Sequence, residues 1–223
     1  MGKETLSRRL VAELIGSAGL LSAVVGSGIM AERLAGGQTA ITLLANAIAT
    51  GLALAALILM FAPISGAHFN PLVSLSSAMN GEIKWRHAVF YILVQVFGAL
   101  LGVALANSMF DLPLFFASSK TRTGFGQWLG EVVASFGLVG LVIAVSRQHG
   151  TIAVALAVAA YITAAYWFTS STSFANPAVT IARALTDTFT GIHPADVPAF
   201  IVAQVVGGIS ASLLFSWLVP RES

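Results

Sequence analysis

The chain has 223 residues, of which 57% are hydrophobic and 9% charged, with a mean hydropathy of +0.89, and is far more apolar than a soluble domain, where about a quarter of residues carry charge. A formal net charge of +2, scattered along the sequence, gives no footprint for nucleic acid, and the lack of cysteine excludes disulfides, thiol catalysis and thiolate metal sites. The sequence therefore reads as an integral membrane protein lodged in a lipid bilayer, with residues 1–223 forming one helical domain.

The first apolar stretch, Leu10 to Met30, carries Glu13 and lacks a small-residue cleavage site, so it is expected to be a retained span rather than a signal peptide. The second, Thr39 to Phe61, runs into SGAHFNPLVSL. There the piece Asn70 to Asn80 is too short to cross: at about 1.5 Å per residue, ten helical residues cover about 15 Å, half of a hydrocarbon core about 30 Å thick. Asn is a favoured N-cap and Pro suits the first helical position, so Asn70 and Pro71 mark the start of a half-helix. Spans are then expected over His87 to Phe110, Gly126 to Ser146 and Ile152 to Phe168. A second Asn-Pro, Asn176 and Pro177, opens the short NPAVTIARAL, and Val197 to Val219 closes the set. The expected fold class is an all-α membrane protein of six transmembrane helices plus two half-helices.

Basic residues set the orientation. Lys3, Arg8, Arg9, Lys84, Arg86, Arg147 and Arg221 fall on one side, against Arg33, Lys120 and Arg122 on the other. The positive-inside rule then places both termini in the cytoplasm, with the protein multi-pass in the cell (inner) membrane.

The half-helix signature occurs twice, and its surroundings repeat with it. SGAHFNPLVSL aligns with STSFANPAVTI, AELIGSAGL with GEVVASFGL, and YILVQVFGAL with AFIVAQVVGG, which pairs Glu13 with Glu131, Gln95 with Gln204 and Gly98 with Gly207. Each repeat, over about 8–115 and 125–220, holds three spans. Three is odd, so the second repeat enters from the opposite face, and the half-helices meet at the midplane with their partially positive N-termini facing each other. If each Asn oxygen caps its own helix, the amide N–H₂ turns into the lumen as a fixed donor. Two such donors welcome a neutral hydroxylated solute and oppose cations, including protons carried on a water chain.

Paired Asn-Pro motifs, the SGAHFNP context, Glu13 and Glu131, and the Gln and Gly pairs together resemble the aquaporin and glycerol-facilitator family, the major intrinsic proteins, over essentially the whole chain. The resemblance implies a homotetramer with one pore per subunit, passive flow of water or small uncharged solutes, and a midplane built from Asn70, Pro71, Leu72, Asn176, Pro177 and Ala178. Leu72 stands where the family has Ala. The family's extracellular filter maps onto Thr50, Ala164, Ser173 and Val179, with Phe174 competing for the third place. The arginine that nearly always follows the second motif is Val179 here, and Thr180 stands where glycerol facilitators have Asp. The expected filter is therefore wide and arginine-less, similar to that of bacterial members associated with arsenic-resistance genes. The expected solutes are glycerol-like polyols, arsenous acid and related neutral metalloid hydroxides, and water.

Other readings stand beside these. Glu13 and Glu131 are either proton-coupling carboxylates or, as the resemblance implies, acceptors for the half-helix loops. His68 is a vestibule group, either a pH gate or a plain polar lining. Arg183, one turn beyond Val179, is either a displaced selectivity cation or an arginine snorkelling to the interface, the ordinary reading on general grounds. His87, His149 and His193 lack partners at metal-ligand spacing, so no metal and no cofactor are expected, and Trp85, Trp128, Trp167 and Trp217 read as interfacial anchors. The alternatives to a solute channel are a water-selective aquaporin, an alternating-access transporter and a non-conducting junctional protein. Nothing in the sequence has the nucleophile-base spacing of an enzyme.

Overall fold

The computed structural model describes residues 4–220; Lys3 and Arg221, which entered the orientation count, lie outside them. The described chain is helical throughout: α1 (Leu6–Leu34), α2 (Thr39–Ser65), α3 (Pro71–Met79), α4 (Trp85–Met109), α5 (Phe125–Gln148), α6 (Thr151–Phe168), α7 (Pro177–Arg183) and α8 (Val197–Leu218), with a 3₁₀ turn at Pro194–Asp196 before α8. Six of these are long and apolar enough to cross a membrane, while α3 and α7, with 9 and 7 residues, are half-helices. All four tryptophans are exposed at or near helix ends, where a ring with one polar edge suits the membrane surface.

Local chemistry sets the boundaries. Thr5 caps α1 by accepting from the Arg8 N–H, and α2 stops at Gly66, whose φ of 92° is open to glycine at no steric cost. At α3 and α7 the Asn-Pro pair supplies both the cap and the first helical residue.

The long helices pack in two related sets. α1 lies against α2 and α4, α5 lies against α6 and α8, and α2 meets α6 between them. Lipid gives helices no hydrophobic reason to associate, so close backbone approach must supply the contact. A Cβ at Gly98 of α4 would sit 2.4 Å from the Leu14 carbonyl oxygen of α1, and one at Gly207 of α8 would sit 2.3 Å from the Val132 carbonyl oxygen of α5. These two contacts join positions that correspond in the sequence repeat, one in each half. The half-helices α3 and α7 both pack on α4 and α8, which closes the bundle around them.

Substituting Val for Gly98 or for Gly207 should therefore force α1 from α4, or α5 from α8, at about 1–3 kcal/mol each. Thermal unfolding in detergent checks this, with Gly150→Ala as the control, since a Cβ there meets nothing within 4 Å and the backbone φ is −79°. Equal midpoints for all three would remove close backbone packing as the source of helix association.

Candidate functional site

At the middle of the bundle the two half-helix starts hold each other. Asn70 Oδ1 accepts from the Leu72 N–H at 2.9 Å, and Asn176 Oδ1 accepts from the N–H groups of Ala178 at 3.0 Å and Val179 at 3.3 Å. Each side-chain amide also reaches across the repeat. Asn70 Nδ2 donates to the Ala175 carbonyl and Asn176 Nδ2 to the Phe69 carbonyl, both at 2.8 Å. An amide nitrogen has two hydrogens, so one per asparagine is engaged in this cross-link and one is left for the cavity that both residues line. The expectation that the whole N–H₂ group points into the lumen is corrected to this extent.

The loops leading into the half-helices turn sharply through non-glycine residues with positive φ: Ala67 at 52° and Phe69 at 47° before α3, Ser173 at 50° and Ala175 at 47° before α7. Their amides are answered by the two buried acids. Glu13 accepts from the His68 N–H (2.9 Å), the Phe69 N–H (2.7 Å), Ser65 Oγ (2.6 Å) and Gln95 Nε2 (2.8 Å). Glu131 accepts from the Phe174 and Ala175 N–H groups, both at 2.9 Å, and from Gln204 Nε2 at 2.6 Å. The glutamines tie the half-helices in as well, Gln95 Nε2 donating to Ser74 Oγ at 2.9 Å and Gln204 Nε2 to Thr180 Oγ1 at 2.8 Å. Both carboxylates are fully buried and stand behind the cavity wall, surrounded by donors.

The cavity has a volume of about 370 Å³. It begins at the face that carries both chain ends, beside Glu82, His149 and Thr151, passes His68 and the two asparagines, and ends toward the opposite face, its outer end relative to the chain termini, at Thr50, Tyr166, Ser173, Phe174, Val179 and Arg183. Helical stepping builds its apolar wall. α2 contributes Thr50, Leu54, Ile58 and Ala62, α5 contributes Leu138, Val142 and Ser146, and α6 contributes Val154, Val158, Ile162 and Tyr166, each series advancing by four residues along one face. The loops before α3 and α7 supply the opposite, more polar wall. There His68 Nδ1 lies 3.0 Å from Ser74 Oγ.

Several expected positions are corrected by this geometry. Ala164 is exposed on the outer side of α6, because two residues from Ile162 is about 200° of helical rotation; Tyr166 takes the place on the cavity face. Pro71, Leu72, Pro177 and Ala178 are buried behind the midplane, and Leu72 packs with Val139, Ile143 and Ala211 instead of facing the lumen. Ser173 and Phe174 both line the outer end, which settles neither against the other. Arg183 does not snorkel: its residue is 2% exposed, its Nε donates to the Thr190 carbonyl, and its guanidinium carbon lies 3.4 Å from the centre of the Phe174 ring. The outer end thus carries two aromatic rings and a guanidinium: Phe174 and Arg183 are among the alternatives read from the sequence, whereas Tyr166 is not. The four-residue step along α6 was the signal for Tyr166; nothing in the sequence told whether Arg183 turned inward. Among the described residues, no three His, Asp or Glu side chains group closely enough to hold a metal ion.

Comparison with known proteins agrees with this architecture. The family described as major intrinsic protein matches residues 1–150 and 132–223. The chain is 52% identical to aquaglyceroporin AqpS of Rhizobium meliloti (strain 1021) over 214 residues, covering 96% of this chain and 91% of that one. It is 29% identical to aquaporin NIP1-1 of Zea mays over 216 residues, covering 94% of this chain and 74% of the relative. In fold it is similar to the X-ray structure of the aquaglyceroporin from Plasmodium falciparum, with a TM-score of 0.76 at 18% identity, covering 97% of this chain and 98% of the other.

Replacing Asn70 or Asn176 with Ala should remove a cap of about 1 kcal/mol and leave a buried carbonyl unpaired at a further 1–3 kcal/mol or so. The double variant should lose less than the sum, because either single change already releases the opposite loop. Unfolding midpoints of the four proteins in detergent test this. Small, additive losses would mean that the cross-link holds nothing.

Proposed function

The chain belongs to the major intrinsic protein family, and from that premise we propose that it is a passive channel for small uncharged solutes, glycerol-like polyols and water, with one pore per chain. The observation that carries the reading is the cavity itself: an apolar wall from α2, α5 and α6, with Leu20 and Val24 of α1, faces two fixed amide donors at its middle. A polyol can lay its carbon skeleton on the one and offer its oxygens to the other. Glu13 and Glu131 stand outside the cavity with their oxygens engaged by loop and glutamine donors, which argues against either as the coupling carboxylate of an alternating-access cycle.

Val179 and Ser173 keep the wall small where the family's arginine would stand, which supports passage of arsenous acid and related neutral metalloid hydroxides as well. A second reading, a water-selective pore, is favoured by one observation, the Tyr166, Phe174 and Arg183 side chains at the outer end. We also read the chain as a single domain with repeats over roughly 8–115 and 125–220, assembled as a homotetramer in the cell (inner) membrane with both termini cytoplasmic. The mirrored Gly98 and Gly207 contacts support the repeat, and the excess of Arg and Lys on one side supports the orientation.

Proteoliposomes should take up glycerol and arsenous acid faster than empty vesicles, without an ion gradient and without saturating. Val179→Arg, alone and then with Thr50→Phe, should depress solute flux progressively while water flux falls less, at equal protein per vesicle. Water flux alone in the parent would favour the second reading, and unchanged solute flux in both variants would end the idea that position 179 sets selectivity.

Orientation is checked separately. A protease site placed after Ser223 should be cut only from the cytoplasmic side, and one near Ser118 only from outside. The reverse pattern would invert the topology.

A further inference from the structure

Two polar groups at the outer end of the cavity have no partner. Arg183 is almost wholly buried, yet its Nε bond to the Thr190 carbonyl is its one side-chain hydrogen bond among the described residues, and its two terminal nitrogens, on a side chain that lines the cavity, are unmatched. Ser173 lines the same end, and its Oγ is buried with nothing to bond. The guanidinium also has no ion-pair partner among the described residues. The ion pairs among the described residues are Arg8–Glu4 and Lys120–Glu32, so no carboxylate lies within 4.0 Å of it. Glu131, the acid behind this wall, already accepts from Phe174, Ala175 and Gln204. The carboxylate that lines the cavity, Glu82, belongs to the opposite end.

A second cation deepens the imbalance. Arg122, from the connection between α4 and α5, places its guanidinium carbon 5.0 Å from the centre of the Phe174 ring. Its Nε donates to the Gly191 carbonyl at 2.8 Å and its Nη1 to the Ser171 carbonyl at 3.3 Å. Two guanidinium groups therefore share one aromatic ring. Ring contact and the Thr190 carbonyl fix the plane of Arg183 and leave its nitrogens free for an acceptor arriving through the cavity.

We propose that this end of the cavity is a binding station for a small carboxylate or oxyacid monoanion, held by the terminal nitrogens of Arg183 with Ser173 Oγ as a further donor. A guanidinium presents paired N–H groups that match two oxygens of a carboxylate, and a charged acceptor gains more from them than a neutral one does. Thr50 and Val179 are small enough to leave room beside it. The station rests on the channel reading for its route of access, and it makes Arg183 a determinant of which solutes meet competition at the outer mouth.

Acetate is the probe, with its neutral isostere acetamide and with chloride at equal ionic strength as controls. In detergent, acetate should raise the unfolding midpoint of the parent above both controls. The rise should shrink in Arg183→Lys and in Ser173→Ala, and vanish in Arg183→Gln. In proteoliposomes, external acetate near its dissociation constant should occupy half the pores and slow glycerol flux about twofold in the parent but not in Arg183→Gln. Acetate that acts no differently from chloride and acetamide on the parent, or whose effect persists in Arg183→Gln, overturns the station. Should Arg183→Gln fail to fold, an unchanged acetate effect in both Ser173→Ala and Arg183→Lys has the same force. If the parent moves neither glycerol nor water above empty vesicles, the channel reading fails, while the unfolding shift still decides the station.

Discussion

Backbone that leaves a helix at membrane depth has no water to turn to, so each amide and carbonyl in the two loops before α3 and α7 must find a partner in the protein. The remaining architecture follows from how this is met. Glu13 and Glu131 collect the loop amides, Gln95 and Gln204 hold those acids in place, and the two asparagines close the arrangement by capping their own half-helices and bonding the opposite loop. Each carboxylate in this setting serves as a fixed acceptor for its loop. Because the polar groups of the loops are matched pairwise, few donors remain for the lumen: one amide hydrogen from each asparagine at its middle, and the Arg183 and Ser173 groups at its outer end.

That scarcity gives the cavity its character. A solute entering it leaves most of its water behind against leucine, isoleucine and valine, and finds replacement partners mainly along one wall. Molecules whose oxygens can be served from one side lose little; ions, which need a full shell, lose a great deal. The outer end adds a different element, a guanidinium seated on Phe174 and fastened by the loop that follows α7. Val179 opens the wall below it, so the charge stands one helical turn further out than the sequence motif alone would place it.

Much of this was written plainly in the sequence. The six spans, both half-helices and the pairing of Glu13 with Glu131 come from apolar length, from Asn-Pro as a helix start and from the repeat, and the helices lie within a few residues of the expected bounds. What escaped was rotation about a helix axis and the path of side chains. Counting back from Asn176 reached Ala164, but a count across the irregular loop of residues 169–176 carries no phase, while the four-residue stripe within α6 points to Tyr166. Arg183 could turn toward lipid headgroups or inward, and only the returning chain at Thr190 and Ile192 decides it, since Ile192 N–H also bonds the Arg183 carbonyl. Leu72 reads as bulk near the midplane because Asn70, two places before it in the motif, faces the lumen; two residues along a helix is about 200° of rotation, which turns Leu72 to the far side.

The reciprocal grip of the asparagines also orders events in time. Asn70 and the carbonyl that accepts from it at Ala175 are 105 residues apart in the chain. At ordinary synthesis rates the acceptor follows the donor out of the ribosome by roughly 5 to 20 s. Throughout that interval the first loop has its acid and its glutamine but not its cross-link, and α3 sits at mid-membrane as a tethered, unfinished turn. The first half of the chain is therefore a scaffold awaiting its complement, and the midplane cross-link can close only after the second half has been made.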